Sequence, residues 1–516
     1  MKRFIRIIAA LLTALALTAV LCSCGDGKKE TTAPEVTKEI SSPAEPATGG
    51  EITVGIAQDL DSLDPHNMTA AGTREVLFNV YEGLVKPDTN GNLIPAVASD
   101  YAISENGDSF TFTLREDVKF HNGEAVTVGD VVYSLTRAAG LETGVPLVKE
   151  LSVVSSVEAP DDKTVVIKTA SPSIEALAFL TAAIIPEDSD PAAEPVGTGP
   201  FKYISRSALE NIIIEKFDDY WGGPAHLDKV TFKIFPNGET LVMSLKSGAV
   251  DMAIHLTSAQ TAELPQHTIF EGTMNLVQAL YLNHNEAPLD NLKVRQALCH
   301  ALNREDLLAL TADGLGTALG SSMYPAFGKY FMPELVDTYE YNPEKGKALL
   351  AEAGYAQGFD LEITVPGNYT QHVDTAQVLV EQFRAIGVRT TIRQVEWGSW
   401  VADVYGGREF QSTIIGFDAA SMTASAILDR WHSQHDKNMI NFSSSEYDQA
   451  LESAHEATDD DEQTAYYKRC QEILAEQAAN VYIQDLCDLV AMKPGLAGYE
   501  FYPLYVMDMS KVYFTE

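Results

Sequence analysis

Residues 108–138 read DSFTFTLREDVKFHNGEAVTVGDVVYSLTRA. Phe110, Phe112 and Leu114 alternate with Thr111 and Thr113, the period-two pattern of a strand buried on one face. Asn122-Gly123 is a turn dipeptide, because glycine takes positive φ without steric cost. Thr127 stands three residues before Asp130, the spacing of a capping box, and Val131, Val132 and Leu135 then supply a helix with an apolar stripe. The segment therefore predicts a strand, a tight turn and a capped helix.

Outward from this stretch the same vocabulary repeats. Glu51–Ala57 alternates as a strand, the Asp-rich loop Asp59–Asn67 follows, and a helix is expected over Thr73–Tyr81, closed by Gly83. Strands are expected at Thr164–Thr169, Phe201–Ile204, Asn211–Phe217 and Lys229–Phe235. The acidic, Pro-rich run Pro186–Pro195 marks a boundary before them. In the later half Asn342 and Pro343 open a helix as N-cap and first residue, and Gly354 stops it. Phe359–Val365 and Arg389–Val395 read as strands around a helix from Asp374 to Ile386, ended by Gly387. Strands alternating with helices predict an α/β fold with mixed or parallel sheets.

Composition narrows the function. The formal net charge is −37, which excludes nucleic acid or anionic lipid as partners of a broad charged face and suits a soluble protein that attracts cationic solutes. With 45% hydrophobic residues and four Trp in 516 residues, the chain can bury several cores. Lys2, Arg3 and Arg6 precede an apolar run from Ile7 to Leu21, the pattern of a secretory signal. The run ends in Leu21-Cys22-Ser23-Cys24-Gly25, which resembles a bacterial lipobox, so 1–23 are expected to be cleaved and Cys24 to carry lipid. Residues 24–50, rich in Thr, Pro, Glu, Lys, Ser and Gly, are expected to form a flexible tether to the outer face of the membrane. Cys299, Cys470 and Cys487 lack CxxC spacing, so neither a zinc site nor a disulfide framework is written in the chain. There is no G-x-S-x-G elbow, no HExxH and no phosphate-loop lysine; Gly197-Thr-Gly-Pro200 precedes a strand rather than a helix. A hydrolase is the rival class, and peptide cleavage would be its mark.

Several ordered motifs together carry a resemblance. Thr113-Leu-Arg-Glu-Asp-Val-Lys-Phe-His-Asn-Gly123, Leu63-Asp-Pro65, Asn79-Val-Tyr-Glu-Gly-Leu-Val85, Gly197-Thr-Gly-Pro-Phe201, Asp219-Tyr-Trp-Gly-Gly-Pro224, Leu245–Asp251, Val294–Leu298 and Ala301–Asp306 resemble, in order, the family 5 solute-binding proteins of ABC importers. The resemblance spans about residues 51 to 516. It implies a two-lobe periplasmic-binding-protein-like clamshell, type II and of the large cluster C form. One lobe would comprise 51–84, 197–274 and 486–516, with a subdomain at 85–196 inserted, and the other 275–485. It further implies a monomer without cofactor or catalysis, closing on a small peptide or similar solute and docking on a permease driven by an ATPase.

The resemblance also nominates a site. In peptide-binding relatives a strand ends in Gly-Trp-x-Ala-Asp and the Asp pairs with the ligand ammonium; here Gly416-Phe417-Asp418-Ala419-Ala420 stands there. Phe417 replaces the Trp and Ala420 the Asp, which makes Asp418, two residues earlier on the same strand face, the candidate ammonium partner. Peptide main chain is expected along Gly416–Asp418, with His66 and Asn67 bordering the cleft. Trp400 of Trp397-Gly-Ser-Trp400 either stacks on the ligand or packs in the core. His432 and His435 are the ligand set of the alternative, a nickel or metal-chelate receptor.

Overall fold

The computed structural model describes residues 46–515, so the expected signal segment, Cys22, the expected lipid acceptor Cys24 and the expected tether up to residue 45 lie outside the described residues. The expected tether runs to Gly50, and here the structure corrects it. Pro46–Ala47 pairs antiparallel with Tyr513–Thr515, and the Gly49 amide donates to the His226 carbonyl at 2.7 Å. The final residues of that low-complexity run are held because a strand near the C-terminus offers them an edge.

Two large mixed sheets make the two lobes of a clamshell. The first has seven strands in the order Thr268–Thr273, Cys487–Met492, Met252–Leu256, Glu51–Ile56, Lys229–Ile234, Asn211–Lys216 and Phe201–Ser207. Glu51–Ile56 sits at its centre, parallel to both neighbours. The second has six strands: Thr317–Ala318, Asn480–Asp485, Val277–Leu282, Ser412–Phe417, Asp360–Pro366 and Arg389–Val395. The last two pair in parallel, linked by the helix Thr370–Arg384 as crossover. The chain passes from the first sheet to the second between Thr273 and Val277 and returns between Asp485 and Cys487. Leu276 and Leu486 occupy these two crossings and pack together with Met274.

The opening segment lies in a four-stranded sheet, Ala98–Ile103, Ser109–Leu114, Thr164–Thr169 and Val154–Glu158. Phe110, Phe112 and Leu114 are buried, as the alternation requires. The helix Val128–Ala139 begins with the full capping box: Thr127 accepts from the Asp130 amide, and Asp130 accepts from the Thr127 amide at 2.8 Å. Two other helices start earlier than the pattern suggests, Ala71–Leu77 and Thr370–Arg384. Neither has a side-chain cap at its first turn, so the sequence carried no start signal.

The Gly197-Thr-Gly-Pro run serves packing. A Cβ on Gly197 or Gly199 would stand 2.0 or 2.6 Å from the carbonyl oxygens of Val80 or Asn79. Only glycine lets that strand entry lie against the chain leaving the Ala71–Leu77 helix. Tyr220 and Trp221 both donate to the buried carboxylate of Glu82, at 2.7 Å each, tying two of the ordered motifs together.

Candidate functional site

Between the two lobes lies a cavity whose empty space, open mouth included, is about 1170 Å³. The helix Ala71–Leu77 brings Arg74 to one wall, and the strand Met252–Leu256 brings His255. The opposite wall is the end of the Ser412–Phe417 strand, with Gly416, Phe417 and Asp418, followed by Arg430 and Lys437. Leu276 and Leu486 at the crossings form its floor, and Glu150 of the inserted subdomain reaches its rim.

The lobes touch across this cavity. Arg74 of the first lobe forms an ion pair with Asp418 of the second. Tyr369 donates its hydroxyl to Gln58 at 2.5 Å, Asn368 donates to the Ala57 carbonyl at 3.2 Å, and Gln371 donates to the His255 carbonyl. The inserted subdomain adds Glu175, whose carboxylate accepts from the Tyr467 hydroxyl at 2.8 Å. The described state is a closed one.

A buried charge triad backs the first-lobe wall. His255 lies between Asp488 at 2.9 Å and Glu75 at 3.0 Å, and its ring stacks on Tyr505 with centroids 4.8 Å apart. Burial works to lower the imidazole, but the carboxylates of Asp488 and Glu75 hold it well above its ordinary value. Burial raises Glu75, against which the His255 charge pulls. Asp61 keeps its carboxylate below the usual range despite partial burial, through bonds from the Thr69 hydroxyl and amide and the Ala70 amide.

The residues singled out in the sequence divide. Gly416, Phe417, Asp418 and Trp400 line the cavity. Gly416 pairs with Gln278 on one side, while the Asp360–Pro366 strand on the other reaches only Ser412 and Thr413, which leaves the Ile414–Phe417 edge without a strand partner there. Asp418 is already engaged by Arg74, so an incoming ammonium must share it. Trp400 is 3% exposed, donates to Thr413 at 3.0 Å and stacks on Trp397 at 5.4 Å, making it core and wall together. His66 and Asn67 do not line the cavity, although Asp61 and Thr69 on either side of them do. His66 is buried between the Ala183 carbonyl at 2.9 Å and Arg137 at 2.6 Å, and burial lowers it to about 4. Asn67 donates to Asp64 at 2.7 Å, so both serve the loop that Arg137 pins. His432 and His435 are not among the lining residues either, and the Nδ1 of each accepts an amide two residues on. Among the described residues no three His, Cys, Asp or Glu side chains gather as a metal would need. Cys299 and Cys470 are buried free thiols.

Sequence reasoning missed Arg74, His255, Arg430, Lys437, Tyr369 and Tyr505. A signal existed for the triad: His255 and Asp488 interrupt the apolar strands Met252–Leu256 and Cys487–Met492, and a polar residue there must find a partner. Arg430 and Lys437 flank the two histidines and carry no pattern of their own.

Comparison with known proteins agrees with this geometry. The model of the bacterial extracellular solute-binding proteins, family 5 Middle, matches residues 92–439. Heme-binding protein A of Haemophilus influenzae is 28% identical over 464 residues, 81% of this chain and 84% of that protein. The glutathione-binding protein GsiB of Salmonella typhimurium is 26% identical over 452 residues, 83% of this chain and 87% of that protein. The periplasmic binding protein DppA from Helicobacter pylori, solved with the peptide STSA, superposes with a TM-score of 0.81 at 26% identity, covering 91% of this chain and 99% of that one. These names are those of binding proteins. Among the described residues no helix is long and apolar enough to cross a membrane.

Proposed function

The chain belongs to the bacterial extracellular solute-binding proteins, family 5, and from that premise we propose that it captures a short peptide or peptide-like solute between its lobes and delivers it to the permease of an ABC importer. The observation that carries this reading is the interlobe cavity, lined from both sheets and floored by both crossings. A guest that touches both walls binds the closed form better than the open one, and that difference drives closure. The free edge at Ile414–Phe417 suits peptide main chain, and Asp418 with Asp61 suits an ammonium group. Aromatic rings of Tyr369, Trp397, Trp400 and Tyr405 give side chains apolar, polarisable neighbours.

The segments 51–84, 197–274 and 486–516 act as one body carrying the insert 85–196, and 275–485 as the other, turning about Leu276 and Leu486. The mature protein works as a monomer tethered through lipidated Cys24 outside the cell membrane. Fractionated cells should then release it only with detergent, and its presence in the medium as intact chain overturns the anchor. For the ligand, native mass spectrometry of protein purified without refolding should find a bound peptide-like mass, and short peptides should raise the melting temperature. A shift with nickel–histidine and none with peptides overturns the peptide reading in favour of a metal chelate.

A further inference from the structure

Arg430 is the anomaly of the cavity. Its guanidinium lies over the Phe417 ring, 3.8 Å from the centroid. Nε and Nη1 are buried with no hydrogen-bond partner among the described residues. Their three N–H donors are costly to bury without an acceptor. Among the described residues no other arginine has buried unpartnered nitrogens: buried Arg295 donates to the carbonyls of Ala478, Leu289 and Gln477 at 2.9–3.1 Å. Arg74, Arg137 and Arg206 each hold an aspartate.

A second cation stands with it. Lys437 lines the same cavity and forms no ion pair among the described residues. Burial lowers its value; Glu150 works against that, and the charges of Arg430 and Arg74 add to the lowering. The other positive groups at the cavity are compensated, Arg74 by Asp418 and His255 by Glu75 and Asp488. Stacking on Phe417 fixes the guanidinium plane and leaves its edge for a planar anion.

We propose that Arg430, with Lys437 beside it, is the subsite for a carboxylate of the ligand, so that the solute is an acid or zwitterion rather than a purely cationic compound. This rests on the reading of the cavity as the solute site. It places the ligand's anionic end at the guanidinium edge that the Phe417 ring leaves free and its ammonium end at Asp418, the residue after Phe417. A guest filling both subsites neutralises the uncompensated cations and shares the carboxylate of Asp418.

The test uses the mature protein and three probes: tri-alanine, tri-alanine amide and Ala-Glu-Ala amide, followed by calorimetry and thermal melting. Tri-alanine should bind at least tenfold more tightly than its amide, about 1.4 kcal/mol, and Arg430→Met should abolish that difference. Recovery of affinity by Ala-Glu-Ala amide also supports a carboxylate subsite, reached from a side chain. Equal binding of acid and amide overturns the subsite and leaves the solute-binding reading intact. Binding of none of the three overturns the peptide reading, and the ligand-free protein then decides for Arg430. If Arg430 is held for a ligand, Arg430→Met and Lys437→Met should melt at or above the wild-type temperature without ligand. A fall in melting temperature of both variants by more than about 4 °C assigns the pair to holding the fold and overturns the proposal.

Discussion

Asp418 and Arg74 meet across the cleft, and removing either should open the clamshell. Their side chains retain 11% and 21% exposure, between the surface and buried limits. Two unit charges about 4 Å apart attract by about 4 kcal/mol at an effective dielectric of 20. Partial desolvation offsets part of this, and a net of about 1.5–3 kcal/mol remains, above the 0–1 kcal/mol of exposed pairs and below the 3–5 kcal/mol of breaking fully buried ones. The closed-to-open ratio of the ligand-free protein should therefore fall about 10- to 150-fold in Asp418→Asn or Arg74→Met. Dyes on cysteines placed at Met243 and Leu310, 64% and 72% exposed on helices of opposite lobes, report this by energy transfer. The native thiols Cys299 and Cys470 are buried, and the half-buried Cys487 is replaced by serine before labelling. The double variant should resemble the singles, because the second change removes an already orphaned partner. Additive effects, or single variants within twofold of wild type, would refute the latch.

Other outcomes follow from the same geometry. His255, held above its ordinary value by Asp488 and Glu75, contributes stability that is complete below pH about 6.5 and is lost as pH rises through its folded value, by at most about 1.4 kcal/mol per pH unit. Urea unfolding should show wild type weakening from pH 6.5 to 8.5, while Glu75→Gln/Asp488→Asn, with no anions around the imidazole, stays flat; parallel slopes would contradict the assignment. Gly416→Val places a Cβ 2.6 Å from Leu276 Cδ1 and must displace that crossing residue. Overpacking there should cost about 1–3 kcal/mol in melting experiments and weaken ligand binding as well. Trp400→Ala should cost about 3–5 kcal/mol in denaturant unfolding because it empties a stacked core position. Trp397→Ala, at a half-buried ring on the cavity wall, should lose affinity more than stability, and the reverse order would mean the two tryptophans have exchanged roles.

The charge latch and the triad share one property: each joins residues far apart in the chain. Arg74 meets Asp418, and Glu75 meets His255 and Asp488, only after the strands of the first sheet and the two crossings are in place. The sequence reading went to histidines that look like ligands, His66, His432 and His435, and passed over His255, which sits in an apolar strand where a partner was owed. It also passed over Arg430, because an unpartnered arginine differs from a partnered one only in what surrounds it.

The sequence by itself determined the strand–turn–helix of 108–138 and the parallel unit around Thr370–Arg384, because alternation, capping residues and glycine turns act within a few residues of one another; the clamshell came from the family resemblance that the ordered motifs carry. It also brought attention to Gly416–Asp418, which does line the cavity. Tertiary structure alone decided that Asp418 is paired, that Trp400 is as much core as wall, and that Arg430 is left with nothing to hold. Burial and charge compensation are sums over neighbours from distant segments, and those neighbours are assembled only when the two lobes close on each other.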